Sequence, residues 1–260
     1  MFEDRMKTSA IPERVYSLCQ AVKSRTMKES DLRELLEPSD LGGATKYFGT
    51  VRDAAKELGL ISVKEGEISL AVESKSVSSY ESMRQYIIGN IDSISSGLFF
   101  QVSKEYLSMN EQVFKFRGVS EAALVEHMSK TLGIQVYEDD MRAWRFWAAY
   151  LGLGNLHDML LLPNMYQYLK TVLSITKLKK GEEYTFSDFI SIIRPYTEIG
   201  LADLDSNKKI NLAMSSGLRT LHDEGIIQLS HKLDSGDMWF LYEAELHMIK
   251  STVTHVMIRR

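Results

Sequence analysis

Residues 58–70 read LGLISVKEGEISL. Gly59 suits the left-handed conformation that closes a helix. Leu60-Ile61-Ser62-Val63 and Glu67-Ile68-Ser69-Leu70 then flank Lys64-Glu65-Gly66, which predicts a β-hairpin around a short turn containing glycine. Working upstream, residues 45–58 predict a helix with Phe48, Val51, Ala55 and Leu58 turned inward. A short helix over 31–37 is led by Ser30 and stopped by Pro38, with a turn at Gly42 and Gly43. Pro12 suits a first helical turn, and Val15, Leu18, Cys19 and Val22 follow it at helical spacing.

Three short helices and a hairpin, in that order, predict a winged helix, a relative of the helix-turn-helix unit. The order recurs. DEGIIQL at 223–229 stands where ELGLISV stands at 57–63, at the end of a last helix. Tyr184-Thr185-Phe186 precedes Ser187, expected to cap a helix over 188–194 that Pro195 ends, and 197–205 is read as a second short helix. The third is expected over 207–224, with Ile210, Met214, Gly217, Leu218 and Leu221 inward and Gly225 closing it. Its hairpin is expected to join 226–230 to 238–242 through Asp234-Ser235-Gly236-Asp237. Residues 10–72 should then superpose on 182–243. The fold class is mainly α with small β-hairpin wings: an N-terminal winged helix (1–75), a helical middle (76–180) and a C-terminal winged helix (181–260).

In the middle, Met83, Tyr86, Ile87 and Ile91 mark one amphipathic stretch. Ser120 is the expected N-cap of a helix to Leu132, with Ala123, Leu124, His127, Met128 and Thr131 at helical spacing. In 141–154, MRAWRFWAAYLGLG, residues Trp144, Trp147 and Leu151 share one helical stripe, widened by Phe146 and Tyr150 and ended by Gly152 and Gly154. Such a stripe reads as core before it reads as a stacking platform for a base or cofactor. A further helix is expected over 164–173, after Pro163. The acidic Glu138-Asp139-Asp140 favours a helix N-terminus over a metal site, since consecutive helical positions diverge. His157-Asp158 has no nucleophile in a recognisable elbow beside it.

Composition narrows the function classes. No apolar run reaches the roughly eighteen residues of a membrane span, and MFEDRMKTSA has no signal-peptide core. One cysteine, Cys19, forms no internal disulfide, so a cytoplasmic setting is expected. His247 and His255 lack partners at metal-ligand spacing, and no Walker loop, dinucleotide turn or HExxH motif occurs. The expectation is therefore no enzyme, cofactor, metal or small-molecule ligand, although a nuclease built on scattered carboxylates and lysines stays open. Charge is balanced throughout: residues 1–75 carry 12 Lys/Arg against 13 Asp/Glu, 76–175 carry 8 against 10, and 176–260 carry 11 against 12. Nucleic-acid contact must then come from a local patch or from a complex.

If the third helices read DNA, the candidate residues are Lys46, Thr50, Arg52 and Lys56 in one, and Lys208, Lys209 and Arg219 in the other. Thr45, Asn211, Ser215 and His222 are also read as outward, while Asp53 and Glu57 oppose phosphate contact.

Trp144-Arg145-Phe146-Trp147-Ala148-Ala149-Tyr150-Leu151-Gly152-Leu153-Gly154 resembles a WA-x-x-LG-x-G signature. The signature is that of a small component of bacterial antiviral islands that install or police 7-deazaguanine bases in DNA. LGLISVKEGEISL resembles the end of that family's N-terminal winged helix. The resemblance covers these two stretches and implies a DNA-directed defence complex of several proteins, with no catalytic residues to carry over. The leading expectation is a non-enzymatic tandem winged-helix adaptor with protein partners and weak DNA contact. The alternatives are a DNA-binding transcription regulator and a protein-docking subunit of a chromosome-organising ATPase complex.

Overall fold

The computed structural model describes residues 2, 4–41, 46–118, 121–158, 160–201 and 207–260. It is mainly helical, with small antiparallel sheets. No helix among the described residues is long and apolar enough to cross a membrane.

The N-terminal array runs α1 (Pro12–Ala21), β1 (Met27–Lys28), α2 (Glu29–Leu36), α3 (Phe48–Glu57), β2 (Ile61–Lys64) and β3 (Glu67–Leu70). Val15, Leu18 and Cys19 of α1 meet Phe48, Val51 and Ala55 of α3 in one buried layer. The hairpin forms as expected, with Ile61 opposite Leu70 and Lys64 opposite Glu67. Glu65 and Gly66 both take positive φ (51° and 78°), as a two-residue turn matched to strand twist requires. The two-residue β1 was not foreseen. It pairs with β3, so the sheet order is β1-β3-β2. Gly42, Gly43 and Thr45 lie outside the described residues.

The middle holds α4 (Tyr80–Gly89), α5 (Leu98–Ser108), α6 (Glu121–Leu132), α7 (Glu138–Leu151) and a hairpin of β4 (Gly154–His157) with β5 (Leu160–Pro163). Trp144 and Trp147 are fully buried, as the core reading of their stripe requires. Their indole N–H groups donate to Ser103 Oγ (2.8 Å) and to the Ala10 carbonyl (2.7 Å). Phe146 departs from expectation: it points away from that stripe and is 45% exposed. The expected cap Ser120 lies outside the described residues, and of α6 only Met128 is buried, with Thr131 exposed. The β4–β5 hairpin was also missed. Gly152 (φ 86°) starts the turn into it, where a Cβ would come within 2.6 Å of the Tyr168 amide nitrogen.

The C-terminal array runs α8 (Tyr166–Ile175), β6 (Glu183–Thr185), α9 (Phe186–Thr197), α10 (Leu212–Asp223), β7 (Ile227–Ser230), β8 (Trp239–Phe240), β9 (Thr252–Val253) and β10 (His255–Ile258). Here the expected hairpin is corrected. β7 pairs with β10, Ile227 opposite Ile258, and not with 238–242. Trp239 and Phe240 instead pair with Val253 and Thr252. The sheet order is β6-β10-β7, which is the first-third-second order of the N-terminal sheet. An insertion over 231–254 separates its last two strands. Residues 182–243 are therefore not the counterpart of 10–72. α8, placed by sequence in the middle segment, packs against α10 as α1 packs against α3.

Two further boundaries move. Thr185, not Ser187, caps α9 by accepting from the Asp188 amide (3.1 Å), and α9 continues past Pro195 to Thr197. The third helix begins at Leu212, because Asn211 accepts from the Met214 amide (2.9 Å) and caps it there. Between α9 and α10 only a 3-10 turn, Glu198–Gly200, is seen in place of the second short helix; 202–206 lie outside the described residues.

Candidate nucleic-acid interface

On α3, Glu37 accepts from the Tyr47 (2.7 Å) and Phe48 (3.3 Å) amides and so satisfies the helix N-terminus. Thr50 is already engaged: its hydroxyl donates to the Tyr47 carbonyl and shares a hydrogen bond with Ser9, both at 2.7 Å. Arg52 is tied to Asp53 (2.8 Å) and Glu29 (2.6 Å), and the hydrogen bond to Asp53 is the chief cause holding its guanidinium above its usual pKa. Lys46, which precedes α3, and Lys56, in its last turn, are exposed and have no ion pair with a described residue. Of the four candidates here, these two lysines alone offer uncompensated charge.

The C-terminal candidates fare differently. Arg219 was expected outward but is 6% exposed. Its guanidinium donates to the carbonyls of Ile249 (2.8 Å), Tyr242 (2.7 Å) and Lys250 (2.5 Å), and burial pushes its pKa down. Ser215, also expected outward, is fully buried and accepts from the Tyr242 amide (2.8 Å). His222 Nδ1 accepts from the Leu229 amide (3.0 Å), and His247 bonds to Asp223 (3.1 Å). The insertion thus lies across the outer face of α10, held by a buried arginine. Lys208 and Lys209 precede the helix rather than ride on it. Lys208 pairs with Asp237 (2.9 Å). Burial alone would raise the Asp237 carboxyl, but hydrogen bonds from Ser187 and Lys208 outweigh it and hold the group down at about 2. Lys209 is exposed and bridges to Phe240.

No protein family, curated protein or solved structure matches the chain.

Asp140 is fully buried and accepts from the Tyr137 amide (3.0 Å), the Met6 amide (2.8 Å) and Arg5 Nε (3.0 Å). It caps α7 and fastens the N-terminal arm. Among the described residues no group of three His, Cys, Asp or Glu side chains is placed to hold a metal. A cleft of about 330 Å³ opens between α6, α7 and the β4–β5 turn, lined by Phe116, Leu124, Glu121, Arg145, His157 and Leu160. The Glu121 carboxylate is held by Arg142 and Arg145, each at 2.8 Å. Trp144 lies sealed beneath its floor and offers no open ring for stacking.

The covering of α10 left a trace in the sequence. His255-Val256-Met257-Ile258 can supply a strand near the chain end, and choosing it as partner of 227–230 makes 231–254 an insertion. The aromatic-rich Met238-Trp239-Phe240-Leu241-Tyr242 was the stronger local strand signal and masked it.

Proposed function

We propose that the chain is a non-enzymatic adaptor built on two winged helices, working in the cytoplasm as a subunit of a DNA-associated, multi-protein complex. The observation that carries this reading is the strand order, first-third-second in both terminal sheets, each following the same succession of helices. A role in antiviral defence rests on the sequence resemblance around 147–154 and 58–70.

The transcription-regulator reading is disfavoured, because a regulator would need both third helices free in a major groove. On α3, Thr50 and Arg52 are occupied within the protein, and α10 is covered by the chain's own insertion. The protein-docking reading draws on that same insertion. Leu246 is fully exposed and Met248 is 82% exposed, at the tip of the loop that Arg219 holds.

Selection of duplexes from a random library by the purified chain at physiological salt tests the proposal. No enriched motif is expected. A reproducible motif bound with salt-resistant affinity would replace the adaptor with the regulator.

A further inference from the structure

The segment TKLKKGEE, 176–183, joins α8 to β6. Leu178 packs inward on the core, and Lys177, Lys179 and Lys180 are exposed. The chain end is fastened beside them: the Gly181 amide donates to the Ile258 carbonyl (2.7 Å) and the Ile258 amide to the Glu182 carbonyl (3.1 Å). The amides of Arg259 (2.9 Å) and Arg260 (3.3 Å) both donate to the Ile226 carbonyl, which fixes the two arginines at the same end of the sheet. Lys170, midway along α8, completes the group. Its hydrogen bond to the Tyr166 hydroxyl (2.7 Å) raises its pKa most, while Arg260 acts on it in the opposite sense, as a neighbouring cation does.

Six cations therefore meet three nearby carboxylates: Glu182 beside Lys179 (3.2 Å), Glu224 beside Lys170 (3.8 Å), and Glu183, which is already paired with Lys232 (2.5 Å). Lys177, Lys180 and Arg260 have no ion pair with a described residue. The chain as a whole has a formal charge of −4, so this face is opposite in sign to the rest. Screening over about 10 Å at 0.1 M salt makes the local sign decisive for a bound polyanion, not the total.

We infer that this face, built from Lys170, Lys177, Lys179, Lys180, Arg259 and Arg260, binds the phosphate backbone of nucleic acid. It deepens the DNA-associated reading and rests on it, while moving the contact away from both third helices. The cations sit on a helix, a sheet-bound turn and a strand end, and backbone hydrogen bonds hold the turn and the strand end together; cations on rigid elements position a phosphate backbone without reading its sequence. A lipid surface is disfavoured: Leu178, the apolar residue among the lysines, is turned inward, and fully exposed apolar side chains such as Leu246 lie on the insertion instead.

The test is fluorescence anisotropy of the full chain with a short labelled duplex and a single strand of arbitrary sequence, with phosphatidylserine vesicles in parallel. Six phosphate contacts predict an affinity that falls about 10³-fold between about 50 and 200 mM salt. The variant carrying Lys177→Glu, Lys180→Glu and Arg260→Glu is expected to lose about 100-fold at low salt. Lys46→Glu with Lys56→Glu should cost about 3-fold. Circular dichroism checks that each folds, and Lys177→Gln with Lys180→Gln replaces the triple variant if it does not, with about a 10-fold loss expected. Full affinity in the patch variants, with loss in the Lys46 and Lys56 variant, overturns this site and leaves the DNA-associated reading standing. Wild-type chain that binds neither duplex nor single strand at low salt overturns both. Preference for vesicles over duplex reassigns the face to lipid and overturns the inference alone.

Discussion

The two terminal arrays share their order of elements and their strand order, yet their third helices meet different neighbours. Aligning Gly59 with Gly225, which end the paired helices, sets Val51 against Gly217 and Asp53 against Arg219. In the first array Val51 fills the contact with α1 by its side chain. In the second, Gly217 admits the chain entering α8 so closely that a Cβ would lie 2.7 Å from backbone atoms of Met165 and Tyr166. On the opposite side, Asp53 is exposed, while Arg219 is buried and grips three carbonyls of the insertion. One topology thus gives an open helix and a covered one, through the choice at two registers.

The comparison breaks most severely at the shared support. Trp147→Ala should cost about 3–5 kcal/mol in denaturant unfolding, because it removes a buried ring and frees the Ala10 carbonyl. Phe2 packs edge-on to that ring at 4.9 Å, so hydrogen exchange should rise in α1 and α3 before α10. Equal loosening of both arrays would mean that Trp147 does not separate them. Gly217→Ala tests the close approach, with an expected cost of about 1–3 kcal/mol, whereas Val51→Ala leaves a small cavity in place of a clash. A neutral Gly217→Ala would show that α8 can shift without penalty.

Arg219→Met should lose about 1–3 kcal/mol as buried carbonyls go unpaired, with protease cleavage appearing within 242–250. Unchanged protection there would show that the insertion is held by its own strands. The smallest effect concerns Asp237. Its folded-state carboxyl lies near 2, below the ordinary aspartate value of 3.8, so its stabilising share is present above pH 4 and is lost as pH falls through about 2. Asp237→Asn should lower stability at neutral pH by about 1 kcal/mol and flatten the acid limb of the stability curve. An acid limb identical to wild type would remove Asp237 as its cause.

What was legible in the sequence was local. Gly59 and Gly225, the 58–70 hairpin and the Trp144–Trp147 stripe follow from helical period, glycine conformation and turn chemistry. The partner of β7 is a long-range choice, and local strand propensity favoured 238–242 over 255–258. Arg219 failed for the same reason, since a period argument assumes that the face opposite Leu218 and Leu221 meets solvent. Phe146 failed on angle: a residue adjacent to Trp147 is carried about 100° round the helix from it. The basic face was hidden by averaging, because 11 Lys/Arg against 12 Asp/Glu over 176–260 conceals a cluster at one edge.

The fastening of the N-terminal arm bears on the order in which this protein is made. Met6 finds Asp140 and Ala10 finds Trp147 across 134 and 137 positions of chain. Residues 6 and 10 therefore wait for α7 during synthesis, a delay on the order of ten seconds at ordinary synthesis rates. Until then Phe2 and Met6, both buried in the finished fold, are apolar side chains without their niche. The N-terminal array is thus made before the helix that locks it, and α7 closes it before the C-terminal array has its last strand.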